Sequence, residues 1–137
     1  MKFEARTPPR SFTVGQDVVI EMRDCGNMAL EANEQITFTT PNGAEYDVAR
    51  KEWGFYATPS LNGRLVSYGL RAALVKNRLT GRYFVLLVEK GHDSAFLDYL
   101  VQEHSEVRAW LDSTECLEQI RTDSNSDPQN RCSRDEG

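Results

Sequence analysis

Apolar and polar positions alternate with period two along much of the chain up to Lys90, the pattern of half-buried strands. Val18, Ile20 and Met22 alternate with Val19, Glu21 and Arg23. Asp24-Cys25-Gly26-Asn27 then reads as a turn, because Gly and Asn tolerate positive φ. Met28, Leu30 and Ala32 can share one face of a returning strand, although Ala29–Ala32 also suits a helical turn. The clearest alternation is Gln35–Thr39, with Ile36 and Phe38 inward and the threonines outward. Pro41-Asn42-Gly43 follows, and Asn-Gly between alternating runs is a strong hairpin signal. Tyr46 and Val48 are therefore expected opposite Ile36 and Phe38. A second hairpin is predicted from Tyr68–Lys76 and Arg82–Val88 around Asn77–Gly81, where Gly81 can adopt the left-handed conformation. Tyr83–Val88 has no polar face, which predicts a central strand covered on both sides.

After Gly91 the period lengthens. Asp93 or Ser94 can cap a helix over 93–104, with Phe96, Leu97, Leu100 and Val101 as its apolar stripe and the strands as its floor. Val107, Ala109 and Leu111 predict a short strand over 106–111, continued helix being the alternative, and a further helix is expected at 114–121. From Thr122 to Gly137 there is no aliphatic or aromatic side chain, so 122–137 is expected to be a disordered polar tail. The fold class is α+β, one domain over 1–121 that is β-rich over 10–90 and helical over 92–121. Its strands, about six, are expected to form a small, mainly antiparallel barrel or roll under a C-terminal helical layer.

Composition narrows the class of protein. The chain has 137 residues, 39% hydrophobic and 27% charged, which suits a single soluble domain. No apolar run approaches the roughly 18 residues of a membrane span. The start contains Glu4 and leads into Pro8-Pro9, unlike a secretory signal, so a cytoplasmic location is expected. Cys25, Cys116 and Cys132 are odd in number and without metal-ligand spacing, so no metal, cofactor or disulfide framework is expected.

Charge is uneven. The net charge is −5, yet residues 51–90 carry Lys51, Arg64, Arg71, Lys76, Arg78, Arg82 and Lys90 against only Glu52 and Glu89. Such a segment attracts an anion, or the acidic residues after 91. Overall acidity and the absence of an RNA-binding signature disfavour nucleic acid.

The segment least like scaffold is Trp53-Gly54-Phe55-Tyr56, followed by Thr58-Pro59-Ser60-Leu61-Asn62-Gly63-Arg64. Aromatic faces beside a guanidinium suit stacking a sugar or base and holding an anionic group. Trp53, Tyr56, Asn62 and Arg64, with Arg71 and Arg82 behind them, are the candidate ligand-binding residues. No phosphate-binding loop or nucleophile motif occurs, and the catalytic residues are unknown. The leading expectation is a non-catalytic binding domain for a small anionic or carbohydrate-like ligand, or for an acidic protein segment. One alternative is a small enzyme acting on a nucleotide-linked or sugar substrate, with Tyr46, Asp47 or His92 as proton carriers. Another is an interaction subunit that forms a homo-oligomer.

Overall fold

The computed structural model describes residues 1–120, and the expected tail at 122–137 lies outside them. The described chain is mostly antiparallel β with three short helices. In order it runs β1 (Lys2–Val14), β2 (Ile20–Ala29), β3 (Gln35–Thr39), β4 (Glu45–Lys51), β5 (Gly54–Ala57), α1 (Arg64–Ser67), β6 (Leu70–Asn77), β7 (Tyr83–Glu89), α2 (Asp93–Gln102), β8 (Ser105–Trp110) and α3 (Thr114–Gln119). No described helix is long and apolar enough to cross a membrane.

The strands do not close into the expected barrel or roll, and they number eight where about six were expected. They form three open antiparallel sheets, ordered β1-β2, β3-β4-β5 and β7-β6-β8. Two breaks separate them. Between β2 and β3 the chain turns through Asn33 at φ 68. Between β5 and β6 the buried Pro59 cannot donate to a ladder, and α1 then redirects the chain.

β3 and β4 pair in the anticipated register, Ile36 opposite Val48 and Phe38 opposite Tyr46. β6 and β7 likewise form the second hairpin, Leu70 opposite Glu89 through Lys76 opposite Tyr83. Position in the sheet is a correction. β6, not β7, is central, because β8 pairs with its free side. β7 is an edge, with Tyr83, Phe84 and Val85 exposed. The central role falls to β6 because Ala72 and Ala73, both 0% exposed, let layers approach from either side.

Those layers are the two cores. Ala72 and Leu70 pack with Ala44 and Leu65, joined by Tyr46, Leu87 and Leu111. On the other face Ala73 and Val75 pack under Leu100 and Phe96 of α2, with Trp110 edge-on to Phe96 at 5.9 Å. Only one row of the α2 stripe is used. Phe96 and Leu100 meet the sheet, whereas Leu97 and Val101 are exposed. Neither predicted cap forms, since the N-cap position is His92, whose side chain makes no capping bond. Ser113 does cap α3, accepting from the Cys116 N–H at 3.3 Å.

β1 and β2 form a long ribbon, and Asp24–Asn27 lies inside β2 rather than in a turn. The reason is a bulge on the partner. Ala5 opposes Gly26 and Arg10 opposes Asp24, so Arg6, Thr7, Pro8 and Pro9 face Cys25 alone. The prolines supply no ladder N–H, and Gly26 has no side chain to strike the Glu4 carbonyl beside it. Arg6 and Arg10 both reach Asp24, at 3.1 and 3.3 Å. Desolvation acts to raise the Asp24 pKa, but the Arg10 and Gly26 hydrogen bonds and the two guanidinium charges outweigh it and hold it below its ordinary value.

Candidate functional site

The aromatic segment forms the tip and edge of the middle sheet. Trp53, in the β4–β5 turn, is 73% exposed, Phe55 is 65% exposed, and Tyr56 is also exposed. Consecutive strand residues point to opposite faces, so Phe55 and Tyr56 do not share one. Phe55 lies under the Arg50 guanidinium at 5.7 Å, and Tyr56 opposes Ala49.

The guanidiniums separate too. Arg64 opens α1, where the Ser60 hydroxyl accepts its backbone N–H at 2.8 Å. Its side chain lies 3.7 Å from Asp47, donates to the Thr58 hydroxyl at 3.3 Å and covers the Tyr68 ring at 5.6 Å. Arg71 points to the α2 side of the sheet and is committed there. Nε and Nη2 donate to the two Asp112 carboxylate oxygens at 2.7 and 3.2 Å, and the Trp110 ring lies 3.9 Å beneath. The Asp112 hydrogen bond is the main cause of a raised Arg71 pKa. Arg82 lies beyond the far end of the same hairpin, its carbonyl accepting from the Asn77 N–H. Six residues of strand put it roughly 20 Å from Arg71. Asn62 faces away to donate to Thr114 at 3.3 Å. Of the four predicted polar or basic residues, Arg64 covers a ring on the wall of one cleft and Arg71 lines the hollow beside it, while Asn62 and Arg82 reach neither.

That cleft was not foreseen. It forms where three turns converge at one end of the two larger sheets: Asn42-Gly43 between β3 and β4, Ser67-Tyr68-Gly69 between α1 and β6, and Lys90-Gly91-His92 between β7 and α2. Backbone bonds tie them together, from the Glu45 N–H to the Tyr68 carbonyl at 3.2 Å and from the Lys90 N–H to the Gly69 carbonyl at 2.8 Å. Gly69, at φ 90, allows the sharp reversal that puts Tyr68 on the rim. The resulting open cleft, of about 280 Å³, is lined by Asn42, Ser67, Tyr68, Glu89 and Lys90 among others. Gly69 and Lys90 also border a second hollow of about 240 Å³ that runs towards Arg71 and Asp93.

The polar groups are ordered. The Thr40 hydroxyl donates to Glu89 Oε1 at 2.7 Å, and Asn42 Nδ2 lies 3.3 Å from His92 Nε2. That imidazole is 3.8 Å from Glu89 Oε2. Lys90 makes no side-chain ion pair or hydrogen bond among the described residues. Its ammonium is therefore free to meet an anion.

Comparison with known proteins returns no matching family model, no matching curated protein and no matching solved structure. The geometry carries the argument alone.

The three candidate proton carriers do not meet. Tyr46 packs against the first core. Asp47 points to the opposite face of β4, accepting from the Thr37 hydroxyl at 2.6 Å. His92 stands on the cleft rim. The described residues contain no group of three metal-ligating side chains. Sequence reasoning missed Ser67, Tyr68, Glu89 and Lys90 because each resembles ordinary strand or turn chemistry. The available signal was the glycines Gly43, Gly69 and Gly91 beside polar residues, and only the fold brings those turns together.

Proposed function

We propose that the protein is a non-catalytic binding domain for a small acidic, carbohydrate-like ligand held in the cleft between the three turns. The supporting observation is the Lys90 ammonium, which has no side-chain partner among the described residues, beside an ordered set of donors and acceptors in an open cleft. The ligand's acid group meets Lys90. Its hydroxyls meet Ser67, Asn42 and the Glu89 carboxylate, and the Tyr68 ring, backed by Arg64, offers a face for an apolar sugar edge. Binding needs only this complementarity, whereas catalysis would need an activated nucleophile or an acid–base pair at the reacting atoms.

A monosaccharide-sized ligand in an open cleft is expected to bind with a Kd on the order of 10⁻⁴ to 10⁻³ M. Titration with glucuronate and glucose 1-phosphate tests this. Both should bind, and glucose should bind about tenfold more weakly, because it lacks the charge that Lys90 receives. Equal affinity for the charged and neutral sugars would overturn the role of Lys90. Absence of binding by all three would overturn the ligand class.

A second reading places an acidic protein segment on β5. It rests on the free edge of that strand and on the exposed Trp53 and Phe55, beside Arg50 and Lys51.

A further inference from the structure

Among the described residues, the apolar face of the β1–β2 ribbon is covered only at Phe12, where the Arg10 guanidinium lies 5.1 Å from the ring centre. The register pairs Phe12 with Met22 and Val14 with Ile20, and directly opposed residues share a face. The reverse face pairs Ser11 with Arg23 and Thr13 with Glu21. Beyond these pairs, the tip exposes Val18 and Val19. These six residues are 37 to 66% exposed, and none belongs to either core. At its ends the ribbon is tied to the body by Met1 on Glu34 at 2.9 Å and by Asp17 on His104 at 2.8 Å. Two-stranded ribbons are marginal in water without a covered face. A strand as long as β1 therefore implies a cover.

We infer that the cover is a second copy of this chain, and that the protein is a twofold dimer with the ribbons packed face to face. Two observations select this occupant. The first is area. The six residues leave roughly 450 Å² of apolar side chain exposed per chain, about 900 Å² for two copies before polar atoms are counted, which approaches the 1,200 Å² class of specific interfaces. The second is charge. Residues 2–29 hold Lys2, Arg6, Arg10 and Arg23 against Glu4, Asp17, Glu21 and Asp24, an exact balance within a chain of net charge −5. A surface meant for a strongly charged partner would carry the opposite sign. A neutral amphipathic ribbon meets its own copy without net repulsion, which a self-complementary twofold contact requires.

Sedimentation equilibrium of the full chain at about 10–100 µM tests the inference. The wild type should sediment at twice the chain mass. The double variant Val14→Asp, Ile20→Asp should sediment as a monomer with an unchanged circular dichroism spectrum, because both positions are open in the single chain. Its dissociation constant should rise at least about 100-fold, since four carboxylates would be buried without partners. Should that variant fail to fold, hydrogen exchange of the wild type decides. Amides of β1 and β2 should lose protection on dilution through the dissociation constant. A monomeric wild type at the highest concentration overturns the inference. So does a dimer that survives the double variant yet dissociates with Phe84→Glu on the exposed β7 edge, and so does ribbon exchange that ignores dilution. Sugar binding by the monomeric variant is expected to match the wild type, so the two proposals fail separately.

Discussion

Leu65→Ala is expected to cost about 3 to 4 kcal/mol of folding free energy, a large share of the roughly 5–15 kcal/mol a domain of this size possesses. Leu65 is 1% exposed and is the most deeply buried leucine of the first core. Its buried neighbours Ala44 and Ala72 are too short to move into the space it would vacate, so the cavity persists. The same side chain anchors α1, and with it the Ser67–Gly69 wall of the cleft. Urea unfolding should show a lowered midpoint with an unchanged slope. Val66→Ala, one residue on and exposed, should cost less than about 0.5 kcal/mol. A loss below about 1 kcal/mol at Leu65 would mean that α1 is not held by the core described.

Lys90→Glu is expected to abolish measurable binding of glucuronate while leaving the fold intact. The ammonium is worth roughly 10- to 100-fold in affinity as a charged hydrogen-bond donor, and reversal adds repulsion from the new carboxylate. Starting from a millimolar-class Kd, that places the variant beyond detection. Lys90 is exposed and without a side-chain partner among the described residues, so stability should stay within about 0.5 kcal/mol of the wild type. Lys90→Gln should fall between the two, losing the charge without adding repulsion. Retained affinity in Lys90→Glu would remove the ammonium from the site. Arg82→Glu, beyond the far end of the β6–β7 hairpin, serves as the matched control and should bind normally.

The hairpins were legible because their information is local. Pro41-Asn42-Gly43 forms a three-residue turn closed by Thr40 and Ala44, with Gly43 at φ 91, and that turn fixes Ile36 opposite Val48 without reference to the rest of the chain. The change of period at Gly91 likewise located α2 (Asp93–Gln102), and the alternation of Val107 and Ala109 located β8. What escaped was non-local. An unbroken apolar run such as Tyr83–Val88 fits a buried centre or an edge that awaits a partner equally well, and the two differ only in where β8 docks. The bulge at Arg6–Pro9 hid β1, because its alternation breaks where the prolines interrupt the ladder. The aromatic segment drew attention by composition, yet strand parity splits Phe55 from Tyr56. Arg71 was counted as a free cation, although Asp112, 41 residues further on, neutralises it. The cleft was invisible for the same reason. Its walls come from three turns that no sequence window contains.

The central claim, that the converging turns and not the aromatic edge receive the ligand, is tested most directly by amide chemical-shift mapping during titration with glucuronate. The account predicts concentration-dependent shifts confined to Asn42–Ala44, Ser67–Gly69 and Glu89–His92. Shifts confined instead to Trp53–Ala57, with the three turns silent, would contradict it.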